Sequence, residues 1–302
     1  MNQDCRYEFL PVSALDFGEK KMRRILVPCD FSGPAVEAFK FACDLAVRSN
    51  GEVIVLKVID LPVLYESTFG MPPYVFNPVL EKELEEDATR NFEKMKEKFG
   101  QKPVSLMFKA VHGPTTPMIR DFMDENKVDL VVMGTHGATG LKEFFVGSNT
   151  EKIVRFSPVP VFSIRETISP ESMKNIVFPT TLAIHQRDFL DRLIKLQEFF
   201  KATLHVLYVN TPSNFINEKE LADYAKQCRL SNFTLNLRNN RHEQDGIIDF
   251  VHEKKYDMIA MATHARKGLA HFLTGSIAED VVNRVTCPIW TYALAREAAK
   301  GL

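Results

Sequence analysis

The amino-acid sequence predicts an α/β protein made of two tandem, doubly wound domains. The chain has 302 residues, which is enough for two domains of ordinary size with separate cores. A set of residues recurs at a fixed spacing along the chain, which indicates an internal duplication. Apolar runs such as Val53–Leu56 and Leu130–Met133 are continuous rather than alternating, as is typical of parallel strands covered on both faces.

The duplication is clearest in the last third of each copy. Residues 129–136 read DLVVMGTH and residues 257–264 read DMIAMATH, an offset of 128 residues. Further matches at this offset join Gly147-Ser148 to Gly275-Ser276, Pro160 to Pro288, Ile119 to Ile247, and Phe122 to Phe250.

Upstream of these matches the offset is larger. Residues 25–28 (ILVP) correspond to residues 176–179 (IVFP) at an offset of 151, so the first copy carries 23 additional residues. We expect the additional residues in segment 61–78, which is rich in proline, glycine and aromatic side chains. A loop of this length is predicted to be a lid or an interaction arm, or alternatively a partly ordered surface excursion.

Strands and helices alternate through the first copy. The short apolar run 24–28 predicts a strand, and helical spacing of apolar residues predicts a helix over 34–49. The β-branched run 53–59 is typical of a strand. A helix over 81–99 is indicated by one apolar face, an acidic first turn and a basic last turn. The remaining strands are predicted over 104–111, 130–133 and 159–164, and the remaining helices over 116–126 and 149–156.

The elements divide the chain into four predicted parts. Right-handed crossovers between parallel strands give a Rossmann-like, doubly wound sheet in each copy. The polar, proline-containing stretch 166–174 is predicted to be the linker. The expected parts are an amino-terminal extension over 1–21, domains over 22–166 and 174–293, and a tail over 294–302.

Composition argues against several classes of protein. The net charge of −1 gives no global attraction to nucleic acid or to an anionic membrane. Five scattered cysteines without a CxxC spacing disfavour a disulfide framework or a zinc site and fit a reducing cytoplasm. The sequence shows neither a secretory signal nor an apolar run of membrane-spanning length. We therefore expect a cytoplasmic protein without nucleic-acid or membrane partners.

Glycines that follow the fourth strand predict an anion-binding loop. Gly134 and Gly137 permit positive φ angles and close approach of a ligand to the backbone. Successive N–H groups in such a loop form a concavity for anions. Gly147, Ser148 and Asn149 open the next helix, where free N–H groups and the helix dipole favour a phosphate.

This glycine pattern, G-x2-G-x9-G-S, resembles the ATP-binding signature of the universal stress protein family. Segment 25–32 (ILVPCDFS) is similar to that family's first strand, and segment 158–162 (PVPVF) to its last. The resemblance covers residues 22–165 and, more loosely, 174–293. It implies an adenine nucleotide alpha-hydrolase-like fold, in which each domain has a five-stranded parallel sheet of order 3-2-1-4-5 flanked by helices.

The resemblance also implies a nucleotide site at the boundary between the first and fourth strands, where the winding reverses. The ligand implied is ATP or another adenine nucleotide, with or without Mg²⁺. By analogy, the adenine and ribose side is lined by Pro28, Asp30 and either Val58 or Ile59. Ribose and phosphates are expected to contact Gly134, His136, Gly137, Gly147, Ser148 and Asn149. A turn or helix cap is the alternative role of Asp30.

The second copy departs from this pattern. Thr180 is expected at the position of Asp30, and Ala262 and Ala265 replace Gly134 and Gly137. Each alanine adds a Cβ where a phosphate would press on the backbone. We therefore expect the second domain to have lost phosphate binding.

The family's domains pair through their last strands, and this chain contains two of them. We expect residues 159–164 to pair with residues 287–292 within one chain as a pseudo-dimer, which protects both sheet edges. A homodimer of the whole chain is a further alternative.

Catalytic constellations are not recognisable in the sequence. His136 and His264 recur in both copies, but neither has a nucleophile at a recognisable spacing, and a P-loop is absent. The leading hypothesis is therefore a stress-response sensor or regulator that binds nucleotide and is not an enzyme, slow ATP hydrolysis aside. An adenine nucleotide alpha-hydrolase-type enzyme and a scaffold without nucleotide are the alternatives.

Overall fold

The computed structural model describes residues 23–60, 78–135, 148–166, 168–182, 187–264 and 277–294. Strands and helices alternate through them, and a single 3-10 turn lies at Pro170–Ser172. The strands are β1 (Arg24–Pro28), β2 (Glu52–Ile59), β3 (Ser105–His112), β4 (Leu130–Gly134), β5 (Val161–Ile164), β6 (Asn175–Pro179), β7 (Thr203–Asn210), β8 (Phe233–Asn239), β9 (Met258–His264) and β10 (Ile289–Leu294). The helices are α1 (Gly33–Ser49), α2 (Pro78–Phe99), α3 (Thr115–Glu125), α4 (Ser148–Phe156), α5 (Arg187–Phe200), α6 (Glu218–Gln227), α7 (Glu243–Lys254) and α8 (Ile277–Arg284).

All ten strands belong to one sheet, in the order β3-β2-β1-β4-β5-β10-β9-β6-β7-β8. Pairing is parallel among β1–β5, here called the first half, and among β6–β10, the second half. Each half has the expected order 3-2-1-4-5. The halves join through antiparallel pairing of β5 with β10, where Phe162 lies opposite Trp290. The predicted pairing of the last strands within one chain is confirmed, although it merges the two sheets into one.

Helices cover both faces of the sheet. On one face, α1, α2, α5 and α6 pack over an apolar core that is continuous between the halves. On the other face, α3 and α4 cover the first half, and α7 and α8 cover the second. Aromatic rings connect the halves on the shared face: Phe162 of β5 contacts Phe41 of α1 at 5.3 Å and Phe200 of α5 at 6.3 Å between ring centroids.

The duplication is visible in the backbone as well as in the sequence. Asp129 Oδ2 accepts hydrogen bonds from the amides of Arg23 and Arg24, both at 3.1 Å. In the second half, Asp257 Oδ2 accepts from the amide that opens β6, at Asn175, over 2.8 Å. One carboxylate thus fixes the start of the central strand in each half.

Two arginines of the first half form hydrogen bonds with backbone carbonyl oxygens of the second half. The Arg48 guanidinium, near the end of α1, donates to the Phe199 carbonyl oxygen of α5 and lies 4.9 Å from the centroid of the Phe199 ring. Arg165, after β5, donates to the carbonyl oxygens of Val282, at 3.2 Å, and Asn283 at the end of α8. Cations at helix C-termini complement the negative end of the helix dipole.

The additional residues of the first half are divided between a connection and a helix. Eighteen residues (60–77) separate β2 from α2, whereas seven (211–217) separate β7 from α6, a difference of eleven. The other twelve lie in the helix, because α2 has 22 residues and α6 has 10. The expectation that the additional residues lie in segment 61–78 is therefore wrong for twelve of the 23. Residues 61–77 themselves lie outside the described residues.

Strand and helix boundaries differ from the predicted ones by a few residues. Helix α2 begins at Pro78 rather than at residue 81. Strand β5 begins at Val161 rather than at residue 159, because the Ser157 hydroxyl donates to the Val159 carbonyl oxygen at 2.6 Å and accepts from its amide at 3.2 Å. This turn engages both backbone groups of Val159 that a strand would use. In the part of the chain that is described, no helix has the length and apolarity to cross a membrane.

We expect Phe162→Ala to lower the free energy of unfolding by about 3–5 kcal/mol, because it removes a large, fully buried side chain from the core that both halves share. Phe215→Ala is the matched control, since Phe215 is 72% exposed and should change stability by about 0.5 kcal/mol or less. Urea unfolding followed by circular dichroism measures both values. Equal losses in the two variants would contradict a shared core.

Candidate functional site

The candidate site lies at the carboxyl edge of the first half, between β1 and β4. These strands are neighbours, with Ile25 paired to Leu130. The chain leaves β1 for α1 on one face of the sheet and reaches α4 after β4 on the other face. Such a divergence leaves a crevice outside the carboxyl ends of the two strands, the usual ligand position in open α/β sheets.

Asp30 stands in a fixed turn between β1 and α1. The Cys29 amide donates to the Leu56 carbonyl oxygen at 2.8 Å and so extends the pairing of β1 with β2. Phe31 then adopts a positive φ of 65°. Asp30 Oδ1 accepts from the Ser32 amide at 2.9 Å, and Ser32 is the N-cap of α1. The turn role considered for Asp30 is therefore present, while its exposed carboxylate retains further acceptor positions.

The environment of Asp30 favours its ionised form. Partial burial raises the pKa of this carboxyl group, but hydrogen bonds from the Ser32 hydroxyl and amide and the positive charge of Lys57 lower it by more. The net pKa lies below the ordinary value for aspartate. A carboxylate is thus present at this edge at neutral pH.

Gly134 ends β4 directly beside the start of α1. An added Cβ would lie 2.2 Å from the carbonyl carbon and oxygen of Pro34 and 2.7 Å from the amide nitrogen of Ala35. The φ angle of Gly134 is not positive, so the predicted conformational reason for glycine is wrong here. Glycine is required because α1 packs against the β4 backbone. The Thr150 hydroxyl of α4 donates to the Gly134 carbonyl oxygen at 3.3 Å, which brings the first turn of α4 to the same point.

Val58 and Ile59 end the neighbouring strand β2. Val58 packs against the core under α3 and α4, and Ile59 is buried. Successive strand residues point to opposite faces, so only one of the two can face a given ligand. Asp60 follows them and accepts from the Thr115 amide at 3.3 Å and hydroxyl at 3.4 Å, which ties β2 to the start of α3.

Sequence reasoning missed several polar groups at this edge, namely Asp60, Thr115, Thr150 and Lys57. Asp60 carried a usable signal, because it directly follows a predicted strand that ends at the carboxyl edge. The sequence does not single out Thr115 or Thr150, since hydroxyl side chains are common at the starts of helices. Their partners become visible only with the tertiary structure.

The predicted site residues are only partly within the described chain. Pro28, half-buried at the end of β1, lies at the same edge as Asp30 and Gly134. Ser148 is the first residue of α4, and Asn149 is exposed in its first turn. His136, Gly137 and Gly147 lie outside the described residues.

The second half repeats the turn without the carboxylate. Leu182 has a φ of 61°, close to that of Phe31, and its amide donates to Thr180 Oγ1 at 3.0 Å, as the Phe31 amide donates to Cys29 Sγ at 3.4 Å. Thr180 therefore corresponds to Cys29, and the expectation that it stands at the position of Asp30 is wrong by one residue. The counterpart of Asp30 is Thr181.

Cys29 belongs to the core rather than to the chemistry of this edge. Its side chain is buried and packs in the cluster under α1. Burial raises the pKa of the Cys29 thiol to about 11. A thiol that is protonated at neutral pH is a poor nucleophile and is slow to oxidise.

Gly134→Ala is expected to lower the free energy of unfolding by about 1–3 kcal/mol, because the new methyl group overlaps backbone atoms of Pro34 that cannot rotate away. Gly33→Ala is the matched control, since a Cβ there has no neighbour within 4 Å. Thermal and urea unfolding provide the comparison. A Gly134 variant as stable as the Gly33 variant would show that α1 does not press on β4.

Ser32→Ala should raise the pKa of Asp30 toward its ordinary value, because the hydroxyl that stabilises the carboxylate is lost. The carboxyl carbon of Asp30, assigned with Asp30→Asn, reports this pKa in an NMR titration. Ser172→Ala, which removes a hydroxyl bonded to Ser169, serves as control and should leave the Asp30 titration in place. An unchanged midpoint in Ser32→Ala would refute the assigned cause.

Comparison with known proteins gives concordant results. The sequence model of the universal stress protein family matches residues 21–165 and 238–292. Universal stress protein MJ0531 of Methanocaldococcus jannaschii is 30% identical over 152 residues, which cover 49% of this chain and 85% of that protein. Universal stress protein YxiE of Bacillus subtilis is 29% identical over 145 residues, covering 47% of this chain and 98% of its own.

The full two-half arrangement has a counterpart among solved structures. A universal stress protein from Archaeoglobus fulgidus superposes with a TM-score of 0.73 at 16% identity, covering 90% of this chain and 98% of that one. At this identity the likeness concerns the fold. The family match extends over both halves, and the chain belongs to the universal stress protein family.

Proposed function

We propose that the first half binds an adenine nucleotide, ATP or a close relative, and that the chain acts as a stress-response sensor or regulator rather than as an enzyme. One observation carries the proposal: the ionised carboxylate of Asp30 lies at the switch point between β1 and β4, where Gly134 brings together the starts of α1 and α4. This is the place where the fold offers a ligand crevice.

The groups at this edge fit the parts of a nucleotide. A carboxylate such as Asp30 accepts hydrogen bonds from ribose hydroxyls. Helix α4 is described from Ser148, and the backbone N–H groups at the start of a helix favour phosphate oxygens. The glycine spacing that includes Gly137 and Gly147 belongs to the sequence-based part of the proposal.

The proposal assigns nucleotide binding to the first half alone. Thr181 replaces the carboxylate of Asp30, and Ala262 occupies the β9 position that corresponds to Gly134. Ala265 stands where the sequence of the first half has Gly137. The second half keeps the turn and the strand order, but it lacks the carboxylate of Asp30 and has alanines in place of the two glycines.

A regulatory role suits the chemistry better than catalysis. Asp30 is ionised and hydrogen-bonded within its own turn, an arrangement that suits binding rather than proton transfer at neutral pH. The described cysteine thiols at Cys29 and Cys43 are buried, with pKa values raised by burial to about 11 and about 12. Protonated, buried thiols fit a reducing cytoplasm, where we place the protein. A change in partner binding on nucleotide exchange is the proposed output.

Isothermal titration calorimetry with ATP, AMP and GTP, each with and without Mg²⁺, tests the proposal on the full chain. We expect one ATP site per chain, little response to GTP, and loss of ATP binding in Gly137→Val, because the valine side chain occupies space next to the backbone amides. Ala265→Val is the matched control at the equivalent position of the second half and should retain the wild-type affinity.

Three results would contradict the proposal in different ways. Two equivalent sites per chain would show that the second half also binds nucleotide. Absence of heat with any nucleotide would favour the scaffold alternative. Rapid turnover of ATP together with an acceptor would favour the alpha-hydrolase-type enzyme.

A further inference from the structure

A polar cavity lies in the second half, at the amino-terminal edge of β6, β7 and β8. It is therefore away from the carboxyl edge of that half. It is open to solvent, has a volume of about 340 Å³, and is lined on one side by Lys254 at the end of α7. Cavities of about 300 Å³ and above accommodate small molecules. None of its lining residues belongs to the proposed nucleotide site, so the inference below does not rest on that proposal.

The cavity wall contains a continuous chain of hydrogen bonds across three strands. The amide group of Asn236 donates to Thr234 Oγ1 at 3.1 Å, and this hydroxyl lies 2.9 Å from His205 Nδ1. His205 Nε2 lies 3.1 Å from Asn175 Oδ1, and Asn175 Nδ2 donates to Asp257 Oδ2 at 3.0 Å. Because Asp257 requires the NH2 group of Asn175, the Asn175 oxygen accepts, and His205 Nε2 donates to it.

The first half fills the same position with a side chain. Arg24, the counterpart of Asn175, extends from the start of β1 and donates to Glu52 Oε1 at 2.8 Å and to the Asn126 carbonyl oxygen at 2.7 Å. Asn126 follows α3 as Lys254 ends α7, at the offset of 128. The shorter side chain of Asn175 leaves open the space that an arginine spans in the first half.

Apolar residues of the first half are also exchanged for polar ones. By strand register His205 corresponds to Ile54, and Tyr256 corresponds to Val128; Ile54 and Val128 are buried in the apolar core of the first half. The His205 and Tyr256 rings lie 4.6 Å apart between centroids. In the first half, apolar side chains satisfy the fold at this place, so the partly exposed polar chain of the second half is not needed for folding.

The charge balance of the cavity is positive. Lys254 and Lys255 line it, and neither forms an ion pair with a carboxylate of the described residues. Of the adjacent carboxylates, Glu253 pairs with Arg238 at 2.6 Å, whereas Asp257 keeps its charge and accepts three uncharged N–H groups of Lys174 and Asn175 through Oδ2. Lys254 lies 5.9 Å from the centroid of the Phe250 ring, and both lysines are exposed. The two ammonium groups thus outweigh the single unpaired carboxylate.

We propose that this cavity is a second ligand site, which binds a small polar molecule through an oxyanion, a phosphate or carboxylate group. Lys254 and Lys255 attract the oxyanion, while Asn236, Thr234 and His205 supply hydrogen-bonding groups for the rest of the molecule. Hydrogen bonds among Asn236, Thr234, His205 and Asn175 hold the polar groups of the wall in place, and the exposed lysines lie at the end of α7 beside them.

The titration of His205 gives the site its own readout. The pKa of His205 lies below the ordinary value for histidine because burial disfavours the imidazolium and Lys254 repels it, against the attraction of Asp257. From β6 and β8 only amide and hydroxyl groups face the ring. An anion bound between the lysines favours the imidazolium, so the pKa of His205 rises on binding and binding strengthens as the pH falls.

The test is an NMR titration of the histidine ring resonances of the full chain with inorganic phosphate and, separately, with acetate. Sodium chloride holds the ionic strength constant, and His205→Asn assigns the His205 signals. We expect a saturable shift of those signals with at least one of the two anions, together with a higher pKa. Lys254→Gln/Lys255→Gln should weaken the effect about tenfold or more. Lys219→Gln, an exposed lysine of α6, is the control and should bind as wild type.

The results of this titration distinguish a phosphoryl ligand, a carboxylate ligand and the absence of a specific site. A stronger response to phosphate identifies a phosphoryl ligand, and a stronger response to acetate identifies a carboxylate ligand. A shift that chloride reproduces, or that survives in the double variant, overturns the proposal, as does the absence of any response at His205. Because the signals come from the second half, failure of nucleotide binding in the first half leaves this result unaffected.

Discussion

The antiparallel contact between β5 and β10 is the constraint on which the rest of the structure depends. Each of these strands would otherwise be an open edge, exposed to pairing with other chains. Their contact buries Phe162 against Trp290 and continues into the aromatic rings of α1 and α5. Burial of such rings contributes several kcal/mol each, more than surface ion pairs supply. The two halves consequently share one core on that face of the sheet.

The two halves share the same backbone arrangement but differ in the charged and polar side chains at their edges. The carboxylates of Asp129 and Asp257 fix the central strands in the same way, and Phe31 and Leu182 adopt the same left-handed turn. Asp30 gives the turn of the first half a negative charge, and the second half has Thr181 at this position. In the first half, Arg24 spans the position that the polar cavity beside His205 occupies in the second half.

Much of this fold could be predicted from the sequence, because repeats, apolar runs and glycine spacing are local signals. The strand order came from family resemblance. Details set by packing could not be predicted in the same way, since Gly134 is required by the approach of Pro34. The helix over 81–99 was predicted, but not that α2 is twelve residues longer than α6 and so holds about half of the additional residues. The counterpart of Asp30 was misplaced by one residue, although the offset of 151 already gives Thr181, and the hydrogen bonds of the turn agree with that register. The chain of bonds through His205 joins residues of different strands and has no sequence signature.

The direction of the strands has a geometric consequence. Because β5 and β10 run in opposite directions, all strands of the first half are reversed relative to those of the second. The tips of β1 and β4 that follow Pro28 and Met133 therefore point the same way as the beginnings of β6 and β7. The Asp30 turn and the His205 cavity consequently lie along the same edge of the ten-stranded sheet.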